Sequence, residues 1–354
     1  MENWQKMLVE AMPKAELHLH LDGSLRIKTA LDLAREMGWK GFEKPLSWQE
    51  MFESTVVHTE LHSQKELIAY FDMPIELMQT EDALRRIASE LIIDKAADNV
   101  RYCEIRWAPL IHTAGGLKPE QVIEAVLEGK KQGEAQTGIQ AQLIATGMRS
   151  APPSYNLDLL KAVQPYCKHG IVAVDLAGPE EAYPDPTDHR EYFEKAKEMG
   201  FDITLHCGEF LGAAPMVKKA IREIGPSRIA HGSVAIQDEQ LCEELRQRNI
   251  TLDLCPTSNL QAALYPSYRE YPLELLWRRG VPVGVNTDDP ILSDITLSQE
   301  YVRLLQNSTL TVKDLWQMNL GALDASFAPQ KQKDELRKQF LQWADGVEEL
   351  DGVK

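Results

Sequence analysis

The stretch IVAVDLAGPEEAYPDPTDHREYFEKAKEMGFDITLHC, Ile171 to Cys207, carries the unit from which the fold can be read. Ile171 to Leu176 is a short apolar run that ends in Ala177-Gly178, as a buried strand does. Residues 188–199 read as a helix stopped by Gly200, and Asp202 to Cys207 reads as a second strand. Strand, helix, strand is the repeating unit of a parallel sheet. The unit recurs on both sides. Upstream stand strands at Val100 to Trp107 and Ile139 to Met148, with helices from Pro119 to about Gln136 and over 155–167. Downstream come a helix from Ala214 to Ile224, a short strand Arg228 to His231, and a helix over 238–248. A strand from Ile250 to Leu254, a helix over 272–279 and an eighth strand, Val281 to Asn286, follow. The first strand is 15–21. Eight strands alternating with helices predict an α/β fold, a closed (β/α)8 TIM barrel. The rival, an open doubly wound sheet, usually shows a glycine-rich first turn, and none follows strand one.

The first crossover is too long for a plain connection. A helical pattern from Ile27 to Met37 ends at Gly38, and another runs from Glu81 to Asp98 with Leu84, Ile87, Ala88, Leu91 and Ile92 at helical spacing. Between them, residues about 40–80 read as a helical insertion that covers a site as a lid. Helices near 297–307 and 311–324 and a polar helical tail from Gln330 close the chain. Residues 1–354 are therefore expected to form one barrel domain, with the insertion as its lid.

Bulk properties narrow the function. The 354 residues are 44% hydrophobic, enough for a large core, and the net charge is −16 with acidic residues spread along the chain. That balance argues against nucleic acid and against an anionic membrane surface. No stretch is long and apolar enough to span a bilayer. Met1 to Met12 contains Glu2 and Glu10 and no apolar core, so no secretion signal is expected there. Five cysteines, Cys103, Cys167, Cys207, Cys242 and Cys255, form no C-x-x-C pair and read as reduced thiols in a cytoplasmic protein.

In such a barrel the active site lies at the C-terminal ends of the strands. Strand one, AELHLHLDG, puts His18, His20 and Asp22 on one face by alternation and Leu17, Leu19 and Leu21 on the other. Strand four ends at Gly178, strand five at His206 with Gly208-Glu209 beyond, and strand six at His231-Gly232. Strand seven ends in Cys255-Pro256-Thr257-Ser258-Asn259 and strand eight in Asn286-Thr287-Asp288-Asp289-Pro290. Four of the nine histidines thus fall at the rim, where three histidines and a carboxylate make a catalytic zinc site. The expected ligands are His18, His20, His206 and Asp288. Zinc lowers the pKa of a bound water from ~16 toward ~7. Strand four offers no lysine to bridge a second metal, so one zinc per chain is expected.

Taken in order, PKAELHLHLDGS, DLAG, HCGE, RIAHG, CPTSN and NTDDP resemble the adenosine deaminase family of zinc-dependent amidohydrolases. The likeness extends over nearly the whole chain, and YFDMPIELMQTEDAL and NLGALDASF resemble bacterial members. The resemblance implies that an activated water attacks C6 of a purine nucleoside and ammonia leaves. It implies Glu209 as the proton donor to ring N1, His231 as the residue orienting the water, and Asp288 as ligand and proton acceptor. Asp289 would bind N7, which requires one of the two aspartates to be protonated; the Gly178 N–H would meet N3 and Asp22 a ribose hydroxyl. His20 belongs to both the metal and the substrate side. Asp22 is one methylene shorter than the glutamate found in relatives acting on adenine, which favours adenosine and 2′-deoxyadenosine. The alternative is deamination of another aminopurine: adenine, a modified adenosine or an aminofutalosine-type nucleoside. A catalytically dead binding member is disfavoured by the complete ligand and acid set.

Two positions depart from the family pattern. Cys207 stands where alanine is usual, and alternation turns it away from His206, so it is expected to pack and not to bind metal. Pro179, lacking an N–H, stands where an acidic or amide residue is common. His58 and His62, in HTELH, do not fit H-E-x-x-H and are expected on an exposed lid helix. His112, His169 and His189 are expected at the surface. Leu61, Leu67, Ile68, Phe71 and Met73 are expected to pack the insertion on the barrel, with some covering the substrate.

Overall fold

The computed structural model describes residues 2–39, 41, 47–58, 61–350 and 352. Eight parallel strands form one sheet in sequence order: β1 Lys14–His20, β2 Val100–Trp107, β3 Gln140–Met148, β4 Ile171–Ala177, β5 Asp202–Cys207, β6 Arg228–His231, β7 Thr251–Leu254 and β8 Val283–Val285. Strand β1 meets the end of β8 through a parallel bridge between Leu19 and Asp288. There His20 N donates to Asp288 O at 2.7 Å and Asp288 N to His18 O at 3.1 Å. The (β/α)8 barrel is therefore closed at its rim.

The helices form where propensity and caps agree. Thr80 accepts from Ala83 N at the start of Glu81–Ala97, whose Leu84, Ile87, Leu91 and Ile92 are buried. Pro119–Thr137 stops at Gly138, whose φ of 75° only glycine adopts without strain. After the barrel come Leu297–Asn307, Val312–Ala325 and Gln330–Ala344.

The barrel interior is not wholly apolar. Beneath the rim, Arg106 contacts Asp175 at 3.0 Å and Asp253 at 3.7 Å, and Arg228 contacts Asp253 at 3.1 Å and Glu104 at 2.5 Å; all are fully buried. Isolated, each charge would be costly there; linked, each has partners.

The insertion contains helices Trp48–Thr55, Gln64–Ile68 and Asp72–Leu77. Its residues 40, 42–46 and 59–60 lie outside the described residues. Val57, Leu61 and Leu67 pack against Ala262 and Leu292, joining the insertion to the segments after β7 and β8. His58 and His62 are exposed, as expected, but both lie in loop and not on a helix. His169 is exposed, whereas His112 and His189 are buried, contrary to expectation. His189 stands immediately before the helix Arg190–Glu198 and meets Asn156 Nδ2 at 3.0 Å through Nδ1. Burial holds His112 at a pKa of about 4.

Candidate active site

The strand ends bring the expected metal residues together. His18 Nε2 lies 2.9 Å from Asp288 Oδ1, His20 Nε2 lies 3.3 Å from the same oxygen, and His20 Nε2 faces His206 Nε2 at 3.1 Å. Ring nitrogens and a carboxylate oxygen converge on one point, with all four donor atoms within 4.8 Å of one another. A tetrahedral zinc with bonds of ~2.1 Å places neighbouring donors roughly 3.4 Å apart, so this cluster fits that ion. Burial pushes His20 down to about 3 and His18 well below the usual imidazole range, which leaves their nitrogens free to act as ligands. Burial opposes ionisation of Asp288, but His18 and His231 beside it outweigh that and hold it well below the carboxylate range.

Two devices aim these groups. Asp288 has φ 63° and His231 φ 64°, left-handed values that non-glycine residues adopt at a cost. Asn286 Oδ1 accepts from Leu17 N and His18 N, and Glu16, paired with Lys95 at 2.9 Å, accepts from Thr287 N at 3.0 Å. The turn carrying Asp288 is thereby locked to β1. Behind His206, Asp175 Oδ2 meets Nδ1 at 2.8 Å, the carboxylate–histidine arrangement that orients metal ligands.

A second grouping, His231, Cys255 and Asp288, also lies within ligand distance. It shares Asp288 with the first. Burial pushes the Cys255 thiol well above its usual value, and a protonated thiol is a poor ligand. Cys207 is buried in the apolar core and belongs to neither grouping, as alternation predicts.

Beside the cluster stand the acid and its neighbours. Burial, with Asp288 and Glu180 nearby, pushes the Glu209 carboxyl well above its usual value, which favours its protonated form. Its Oε1 lies 3.0 Å from His231 Nε2, which is 3.7 Å from Asp288 Oδ2. His231 is held at about 3 by burial and is met from behind by Asn259 Nδ2 at 3.1 Å, itself bonded to Tyr271. Glu209 sits in the loop after β5, ahead of the helix that begins at Ala214, so no helix terminus supplies its setting.

Asp22 is not on β1, which stops at His20; it opens a short 3-10 turn, Asp22–Ser24. The turn still directs it to the cavity, where burial raises it to about 6 and its Oδ1 has no hydrogen-bond partner. Asp289 Oδ1 is likewise without one. Burial and the adjacent Asp288 push the Asp289 carboxyl well above the usual range. Gly23 makes room for it: a Cβ there would lie 1.8 Å from Asp289 Oδ1. Buried polar atoms left unpaired cost about 1–3 kcal/mol, so both carboxyls are poised for a ligand.

One cavity collects these groups. It is lined by His20, Asp22, Gly178, His206, Glu209, His231, Asp288 and Asp289 at its polar end, with Thr146 and Ser258. Leu67, Ile68, Phe71 and Ile75 of the insertion, with Ile111 and Met148, form its apolar wall. Gln64, Glu180, Asp175 and Asn259 were not singled out from the sequence. For Asp175 a signal existed: a lone carboxylate inside an apolar strand needs a buried partner.

Residues 13–343 match the family model described as adenosine deaminase. This chain belongs to the adenosine deaminase family. An adenosine deaminase of Clostridium botulinum is 36% identical over 333 residues, covering 94% of this chain and 98% of the relative. The structure of an N6-methyl-AMP deaminase from Arabidopsis thaliana is 26% identical, with a TM-score of 0.83, covering 96% of this chain and 99% of that one. A zinc-bound amidohydrolase from Burkholderia ambifaria, 24% identical over 98% of this chain and 94% of its own, shares the fold with a TM-score of 0.88.

Proposed function

We propose that this family member catalyses hydrolytic deamination of adenosine and 2′-deoxyadenosine to inosine and 2′-deoxyinosine, releasing ammonia, with one zinc ion held by His18, His20, His206 and Asp288. The observation that carries the reading is Glu209, a buried carboxyl pushed toward its protonated form beside a complete metal donor set in the same cavity. Bound there, zinc would make a water molecule acidic enough to lose a proton near neutral pH.

The chain's residues do the rest. Glu209 passes its proton to ring N1, which makes C6 a better electrophile. His231 orients the attacking water and Asp288 accepts its proton. Asp289, holding its own proton, donates to N7 and so recognises an acceptor. The Gly178 N–H meets N3, and the unpaired Asp22 oxygen accepts from a sugar hydroxyl. Leu67, Ile68 and Phe71 exclude water while the insertion, acting as a lid on a single barrel domain, is seated. Five free cysteines and the absence of any described helix able to cross a membrane accord with a cytoplasmic setting.

Charge bears on the substrate class. Among the described residues, no lysine or arginine lines the cavity, whereas Asp22, Glu209, Asp288 and Asp289 all do. A phosphate monoester would meet carboxyls and no cation. The reading therefore favours a neutral nucleoside over a nucleotide. Ammonia release from adenosine, 2′-deoxyadenosine, adenine and AMP, assayed side by side, tests it. Turnover of both nucleosides is expected. Turnover of adenine alone would replace the substrate, and AMP turned over as fast as adenosine would refute the charge argument.

A further inference from the structure

The insertion reaches the catalytic acid through a polar side chain as well as through its apolar wall. Gln64, at the start of the helix Gln64–Ile68, is buried and lines the cavity. Its Nε2 donates to Glu209 Oε2 at 2.8 Å, and its Oε1 accepts from Glu180 N at 3.1 Å. The Glu180 carboxylate in turn accepts from Gly208 N at 2.8 Å and Glu209 N at 2.7 Å. Three separate segments thus meet at Glu209, Gln64 at its carboxyl and Glu180 at its backbone.

The orientation of the Gln64 amide follows from its partners. A backbone N–H can only donate, so Glu180 N requires the oxygen end of the amide, and the NH2 end must face Glu209. An NH2 group can only donate, so Glu209 Oε2 must accept. Oε2 is thereby held by a donor carried on the insertion, while Oε1 lies 3.0 Å from His231 Nε2.

We propose that Gln64 is a positioning residue that couples the seating of the insertion to the catalytic acid, fixing the orientation of its carboxyl through the hydrogen bond to Oε2. The inference rests on the reading of Glu209 as the proton donor. With the insertion seated, the carboxyl is fixed at backbone and side chain; with Gln64 withdrawn, Oε2 loses its donor and the carboxyl is free to turn. Acid delivery is thereby tied to closure over the substrate. Other charged groups around the carboxyl, His231, Asp288, Glu180 and Arg149, belong to the barrel and do not move with the insertion.

The test uses the full zinc-loaded chain and adenosine. Gln64→Met keeps the length and apolar contacts of the side chain but removes both hydrogen bonds; Gln64→Leu is the second variant. We expect kcat to fall about 10- to 100-fold, a part of what general acid catalysis supplies, with KM changed less than about threefold. We also expect the alkaline limb of the kcat/KM profile to move to higher pH. The Gln64 hydrogen bond favours the ionised carboxylate, so its loss makes Glu209 harder to deprotonate. An unchanged kcat, or a loss confined to KM with the limb unmoved, would overturn the proposal in favour of simple packing. Glu209→Gln is run in parallel. If that variant stays active, the assignment of Glu209 fails, which is a separate outcome from a silent Gln64 variant beside an inactive Glu209→Gln.

Discussion

Asp175→Asn is the sharpest probe of how the barrel interior serves the rim. The Asp175 carboxylate accepts four contacts: His206 Nδ1 at 2.8 Å, Arg106 Nη1 at 3.0 Å, Leu176 N at 2.7 Å and His206 N at 3.1 Å. An amide offers one oxygen with two lone pairs, so two of the four donors lose their acceptor. If that oxygen stays near His206 Nδ1, the new NH2 faces two backbone N–H groups. If it turns round, the NH2 faces His206 Nδ1 and favours the tautomer with the proton on Nε2, the nitrogen that points into the metal cluster. Two buried donors left unpaired cost about 2–6 kcal/mol of stability. Loss of the oriented ligand costs about 10- to 100-fold in zinc affinity, or about 1.4–2.7 kcal/mol. Competition with a chromogenic chelator measures the first quantity that matters, zinc affinity, and denaturant unfolding of the metal-free protein measures stability. Zinc affinity within twofold of the parent protein would refute the orienting role, whatever the stability shows.

Glu209→Gln should reduce kcat by at least about 100-fold while elemental analysis still finds one zinc per chain; near-full activity would refute the proton-donor assignment. Removal of metal by a chelator should abolish deamination, and stoichiometric zinc should restore it; full activity of protein shown to be metal-free would refute the metal assignment. His112 makes stability depend on pH. Its folded pKa of about 4 lies below the ordinary 6.5, so the unfolded chain binds a proton that the folded chain refuses. Its contribution is complete above about pH 6.5 and is lost as pH falls to about 4, a loss of about 3 kcal/mol. His112→Leu, which binds no proton, should lose less stability than the parent between pH 7 and pH 4.5 in denaturant titrations. Parallel losses would exclude His112 as the source.

Much of the site was legible because a parallel barrel sends every strand end to one face. Once eight strands were counted, the residues ending them, His18, His20, His206, His231 and Asp288, had to gather at the same rim. The second layer was less legible, since its partners come from unrelated points of the chain. Glu180 holds the backbone at Gly208 and Glu209, Gln64 arrives from the insertion, and Asn259 reaches His231 from the segment after β7. His112 and His189 were misplaced for the same reason: a polar side chain in a loop reads as exposed until the segments packed over it are known. Asp22 shows a smaller failure of local reasoning. Alternation aimed it correctly even though the strand had ended two residues earlier and a tight turn does the aiming.

By itself, the sequence determined the (β/α)8 architecture, the rim on which chemistry collects and the set of donors fit for a metal. These follow from local periodicity and a topology that leaves side chains little choice of end. Only the tertiary structure decided which carboxyls burial pushes toward their protonated form, which side chain reaches Glu209 from the insertion, and which buried ions hold the metal-type donors in line. Those depend on burial and on hydrogen-bond partners brought together across more than a hundred residues, and no local pattern encodes the sum of such contacts.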